Sequence, residues 1–132
     1  MAEKATQAEH VVLLVEDEPI VRAVMVEFLS EQGVEVVEAE NADKALEVLN
    51  RRSDIKLLFT DITMPGSMDG VALAREVHRR WPEMLLMLTS GGASVTRNEM
   101  PAASEFIPKP YDFDKLAERI YALMRKIPRS EN

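Results

Sequence analysis

Two hydrophobic patterns alternate along the chain, and no other feature constrains its fold as much. Val11–Val15 is an unbroken apolar run rich in valine, Leu57–Thr60 and Met84–Leu88 are similar, and Val34–Glu38 and Glu105–Ile107 are shorter, weaker versions. Short continuous apolar runs suit strands covered on both faces, as in a parallel sheet. Between them lie segments of helical spacing. Pro19–Gln32 sets Val21, Val24, Met25, Phe28 and Leu29 on one stripe, with Gly33 as the stop. Asn41 is placed to cap a helix that buries Ala42, Ala45, Leu46 and Leu49. Asp69 or Gly70 opens a third, with Leu73, Val77 and Trp81 at four-residue spacing and Pro82 at its end. Asp112 caps a last helix with Leu116, Ile120, Leu123, Met124 and Ile127 facing inward, and Pro128 stops it. Between Gly91 and Ser104 the pattern weakens. Gly91, Gly92, Ser94, Val95, Thr96 and Asn98 are poor helix formers and Pro101 interrupts, so the fourth helix is expected to be short or irregular.

A β-α unit repeated five times implies right-handed crossovers and a sheet sandwiched between helices, an α/β fold. At 132 residues the chain holds one domain, expected over residues 10–128, with flexible tails at 1–9 and 129–132. The absence of cysteine excludes disulfides, thiol catalysis and Cys-ligated metal. Lys and Arg number 16 against 23 Asp and Glu, a net charge of −7 that argues against a free-standing nucleic-acid binder. The first ten residues lack the basic start and apolar core of a signal peptide, and no apolar run is long enough to span a bilayer. The expectation is a soluble cytoplasmic protein with no membrane partner.

Ligands of such sheets bind outside the carboxyl ends of the strands. There the sequence places Glu16, Asp17 and Glu18 after the first run, Asp61 after the third, Thr89 and Ser90 after the fourth, and Lys109 after the fifth. Converging carboxylates repel unless a cation intervenes. Mg²⁺ suits them, because it takes one or two carboxylates, keeps waters, and leaves positions for phosphate oxygens. His10 and His78 fall at no strand end, which disfavours a transition metal. A lysine and a hydroxyl beside Mg²⁺ are what a phosphoryl group needs, and one carboxylate would serve as nucleophile, forming an acyl phosphate.

Val12–Pro19 (VLLVEDEP), Phe59–Gly70 (FTDITMPGSMDG), Leu88–Gly91 (LTSG) and Phe106–Pro110 (FIPKP) together resemble the receiver domain of two-component response regulators. The resemblance covers about Val11 to Met124. It implies a flavodoxin-like, doubly wound five-stranded parallel sheet of order 2-1-3-4-5. It implies Asp61 as phosphoacceptor and Lys109 as the lysine paired with phosphate. Mg²⁺ would be held by Glu16 and Asp17, directly or through water, with Asp61 and the backbone carbonyl of Thr63. Adjacent strand residues face opposite ways, so spacing leaves Thr89 and Ser90 open. The family pattern has a small residue after the switch hydroxyl; Gly91 fits, which favours Ser90 and leaves Thr89 in the sheet. Phe106 would be the switch aromatic, and the Lys109–Pro110 bond would be cis. The loop from Met64 to Gly70 is one residue longer than the common form, and the segment from Ser90 to Lys109 is a few residues shorter.

The simpler readings are a capping role for the acids before Pro19, a surface or capping role for Glu18, a polar strand stop at Asp61, a core aromatic at Phe106, and a solvated face for His78, Arg79 and Arg80. As a set, the strand-end residues point instead to a stand-alone phosphoryl-accepting switch. Its partners would be a sensor histidine kinase or histidine phosphotransfer protein and a downstream protein target. It would signal by conformational change or drain phosphate as a sink, as a monomer or weak homodimer. It would be no enzyme beyond its own phosphorylation and dephosphorylation. The competing classes are a haloacid-dehalogenase-type phosphatase, for which Asp61-Ile62-Thr63 resembles the nucleophile motif, and a phosphorylation-independent binding module.

Overall fold

Every residue of the first and third apolar runs is buried, because both strands lie inside a sheet with helices on each face. The computed structural model describes residues 11–66, 68–92 and 99–124. Its elements are β1 (Val11–Val15), α1 (Pro19–Glu31), β2 (Glu35–Ala39), α2 (Ala42–Arg51), β3 (Leu57–Asp61), α3 (Gly70–Arg80), β4 (Leu85–Ser90), β5 (Glu105–Pro108) and α4 (Phe113–Met124). The strands form one parallel sheet in the order β2-β1-β3-β4-β5.

Two apolar layers follow from the alternation of side chains along each strand. Val11, Leu13 and Val15 of β1, Leu58 of β3, and Leu86 and Leu88 of β4 face α2 and α3, meeting Ala45, Leu49, Leu73 and Val77. Val12, Leu14, Leu57, Phe59 and Met87 face α1 and α4, meeting Met25, Leu29, Leu116, Ile120 and Leu123. The unbroken apolar runs thus supply both layers at once.

The helix starts are chemically marked. Asn41 Oδ1 accepts the Lys44 N–H at 2.8 Å, Asp69 Oδ1 that of Ala72 at 2.9 Å, and Asp112 Oδ1 those of Asp114 and Lys115 at 3.0 and 3.2 Å. Each satisfies N–H groups that have no partner inside the helix. Gly33, at φ 84°, turns the chain out of α1. Glu18 occupies the start of α1 but its side chain caps nothing there.

Three expectations shift. On α1, Met25 and Leu29 are buried and Phe28 packs against the same core, but Val24 is 50% exposed. A helix crossing a sheet buries the i, i+4 line, and Val24 lies well to one side of it. The strands β3 and β4 extend beyond their apolar runs to include Asp61, Thr89 and Ser90, since the ladder continues past the last apolar residue, with the Ile62 N–H donating to Thr89 O at 2.8 Å. β2 runs one residue later than its apolar stretch suggests. Both expected tails, Ile127 and the centre of the short fourth helix lie outside the described residues. The described flanks of that helix, residues 91–92 and 99–104, hold no α-helix.

Phe59 is wholly buried, two residues before Asp61 on the same side of β3. Phe59→Ala is expected to cost about 3–5 kcal/mol through lost burial and the cavity left behind. Equilibrium urea unfolding monitored by circular dichroism measures it.

Candidate functional site

The carboxyl ends of β1, β3 and β4 and the residue after β5 enclose one acidic crevice. Glu16 follows β1 and is 3% exposed; its N–H donates to Ala39 O at 3.1 Å and its Oε2 accepts the Glu18 N–H at 3.1 Å. Asp61 ends β3, and its Oδ1 accepts the Thr63 N–H at 3.2 Å. Lys109 crosses the crevice, its Nζ donating to Asp61 Oδ2 at 3.0 Å and to Glu16 Oε1 at 3.4 Å. The Lys109 N–H donates to Ser90 O at 3.0 Å, and the Lys109–Pro110 bond is cis. Carboxylate oxygens of Glu16, Asp17 and Asp61 lie within 4.8 Å of one another.

Among the described residues, three carboxylates meet one ammonium there, which leaves an excess of negative charge. Burial pushes the Glu16 carboxyl above its ordinary range and the charge of Asp61 adds to this, outweighing the opposing Glu18 N–H and Lys109. Burial alone would lower the Lys109 ammonium, but its hydrogen bond to Asp61 and the charges of Asp61 and Glu16 raise it instead. Lysine therefore stays charged, and the acids remain short of counter-charge. An all-oxygen donor set with that deficit suits a hard divalent cation.

Register separates the two hydroxyls. Thr89 pairs with Asp61 on one side and Ile107 on the other, two residues on from Met87 of the α1/α4 layer. Paired residues of parallel strands share a face, so Thr89 lies on the face of Asp61 and Ser90 on the opposite one. Thr89 Oγ1 is buried. The Tyr111 hydroxyl approaches it, yet without normal hydrogen-bond geometry, and on that geometry Thr89 Oγ1 is unpaired among the described residues. Ser90 Oγ instead accepts the Gly92 N–H at 3.3 Å. Phe106 is 38% exposed on the edge strand, in register with Leu88, hence on the Ser90 side.

The structure thus brings together Glu16, Asp17, Asp61 and Lys109, with the Thr63 backbone alongside, and leaves Ser90 and Phe106 on the other face. Thr89 is the hydroxyl that the family pattern ranks second to Ser90; its place on the Asp61 face follows from parity along β4, which a continuous apolar run hides. Gly70 has a role no pattern revealed. A Cβ there would lie 2.1 Å from Asp61 O and 2.7 Å from Ile62 Cα, and the Gly70 N–H donates to Ile62 O at 2.8 Å. The start of α3 therefore presses directly on the strand end that carries Asp61.

Residues 12–121 match the family model of the response regulator receiver domain. The chain belongs to that family. This receiver domain is 35% identical over 131 residues to the sensor kinase CckA of Brucella abortus, covering 94% of the chain and 14% of that protein. It is 30% identical over 118 residues to protein PetR of Rhodobacter capsulatus, covering 88% of the chain and 49% of that protein. The chain thus spans about half or less of the length of these curated relatives. Among solved structures, response regulator TrrA of Thermotoga maritima, in complex with Mg²⁺ and BeF, superposes with a TM-score of 0.76 at 28% identity, covering 86% of this chain and 98% of that one. The sheet order of this receiver is the flavodoxin-like one. No helix among the described residues is long and apolar enough to cross a membrane.

Gly70→Ala is expected to destabilise the protein by about 1–3 kcal/mol or more, because backbone atoms cannot yield to the added methyl. Without the contact, Ala would be the better helix former, so a neutral or stabilising result in urea unfolding would contradict the close approach. Glu16→Gln is expected to raise the melting temperature of the metal-free protein at pH 7. A carboxyl raised above its unfolded value favours folding at low pH and loses that contribution as pH rises through its folded value. The gain from Gln should therefore vanish near pH 4 and grow toward neutrality, as thermal melts across that range will show.

Proposed function

We propose that Asp61 accepts a phosphoryl group from a phosphohistidine on a sensor kinase or phosphotransfer protein, and that the acyl phosphate so formed switches the domain's contacts with a downstream protein. The carrying observation is Lys109 Nζ at 3.0 Å from Asp61 Oδ2, inside a cluster of three carboxylates. A carboxylate oxygen of Asp61 forms the new O–P bond while the N–P bond of the donor breaks, and the leaving histidine nitrogen keeps the electron pair. Lys109 neutralises a phosphoryl oxygen as charge develops there.

Mg²⁺ fits the donor set: Asp17, Asp61, Glu16 directly or through water, and the Thr63 carbonyl would hold it. When bound it would neutralise charge on the transferring oxygens. The hydroxyl role passes from Ser90 to Thr89, because Thr89 Oγ1 is buried, lies on the face of Asp61 and has only the Tyr111 hydroxyl nearby, without normal hydrogen-bond geometry, among the described residues. A phosphoryl oxygen would supply the acceptor that it lacks. Phe106, half-exposed on β5, is proposed to follow the resulting shift of β4. The domain turns over no substrate but its own phosphate, its site of action is the cytoplasm, and it works as a monomer or weak dimer. The nucleophile ends the third strand and not the first, and no observation favours a haloacid-dehalogenase-type phosphatase.

Incubation with acetyl phosphate and Mg²⁺ should add one phosphoryl group to the wild type and none to Asp61→Asn by intact-mass spectrometry. Undiminished labelling of the variant would overturn the assignment. Thr89→Ala should slow labelling roughly ten- to hundredfold, the worth of one donor to a charged group, and Ser90→Ala should leave it within about twofold. The reverse ranking would restore Ser90.

A further inference from the structure

The acidic loop is held by a residue that takes no part in the chemistry described so far. The Glu16 N–H makes the last rung of the β1–β2 ladder, while its carbonyl lies past that ladder and needs a partner elsewhere. Its N–H finds Ala39 O at 3.1 Å, and its carbonyl accepts from Arg22 Nη1 at 2.7 Å. The same guanidinium donates from Nε to Glu38 Oε1 at 3.1 Å. Arg22 stands in the first turns of α1, its own N–H donating to Glu18 O at 2.9 Å, and its side chain is only 19% exposed. One planar fork thereby ties the segment bearing Glu16 and Asp17 to the end of β2.

We infer that Arg22 is a positioning residue, clamping the Glu16–Asp17 backbone so that their carboxylates stay in cation-binding geometry with Asp61. The inference rests on reading the acidic cluster as a divalent-cation site. Three like charges within 4.8 Å favour any loop motion that separates them. Glu16 O is fixed on one side by a charge-assisted bond, the stronger kind. The Arg22–Glu38 arm reaches a half-exposed carboxylate and contributes little alone. Its use is to fix the plane of the fork.

A second effect has the opposite sign. A guanidinium near the crevice disfavours a bound cation by charge, so its removal would tighten binding if electrostatics dominated. Isothermal titration of Mg²⁺ into the unphosphorylated protein separates the two. Arg22→Ala is expected to weaken Mg²⁺ binding roughly tenfold, as when a supporting partner around a metal is lost. Arg22→Lys keeps the charge but cannot donate in two fixed directions, and should also weaken binding, by about threefold or more. Glu38→Gln leaves the bond to Glu16 O in place and should stay within about twofold.

Melting temperatures without Mg²⁺ provide the control, since a merely structural role would lower stability in the variants while leaving the Mg²⁺ affinity of the folded fraction unchanged. Arg22→Ala binding as tightly as wild type, or tighter, would overturn the inference, as would full affinity in Arg22→Lys. If Arg22→Ala fails to fold, Arg22→Lys decides. A wild type that binds no Mg²⁺ would overturn the cation-site reading itself, and the positioning role with it.

Discussion

The mutual repulsion of Glu16, Asp17 and Asp61, restrained by Lys109, governs the whole site. Their oxygens lie within 4.8 Å, and Lys109 spans two of the three carboxylates. Such a cluster is poorly neutralised at rest. A divalent cation would add the missing positive charge, and a phosphoryl group would then find both a cation and an ammonium in place. Strain of this kind is tolerated because the scaffold below it is well packed, with Phe59 and Met87 wholly buried beneath the crevice.

The sheet makes the cluster possible. Parallel strands bring all their carboxyl ends to one edge, so residues 16, 61, 89 and 109 meet although they are far apart in sequence. Backbone contacts then set the detail. Gly70 admits the start of α3 against Asp61 O, the Ala39 carbonyl holds the Glu16 N–H, and the Ser90 carbonyl holds the Lys109 N–H. Side-chain chemistry at the site is thus only as well placed as the peptide groups around it.

Much of this was legible in the sequence because the signals were redundant. Three of the strands are plain apolar runs and the other two weaker ones, the caps at Asn41, Asp69 and Asp112 are marked by residue type, and Asp61 and Lys109 stand next to runs whose ends must converge. What escaped depended on parity and on close approach. The run Met84–Leu88 is apolar on both faces, so nothing in it says which of Thr89 and Ser90 shares the face of Asp61; pairing with β3 decides that. Val24 carried the right hydrophobicity on the wrong side of its helix. Gly70 read as a helix opener, while its reason for being glycine is a backbone oxygen from another strand.

In the proposed switch, Asp61, Lys109 and Thr89 surround one phosphoryl position, and Ser90 faces away. A crystal structure of this protein with Mg²⁺ and beryllofluoride, a phosphoryl mimic, would show whether they do. The mimic should sit on an Asp61 oxygen, with Lys109 Nζ and Thr89 Oγ1 both within hydrogen-bond distance of its fluorines and Ser90 Oγ still turned toward the Gly92 N–H. A mimic seated on Glu16 or Asp17, or one contacted by Ser90 and not by Thr89, would contradict that arrangement.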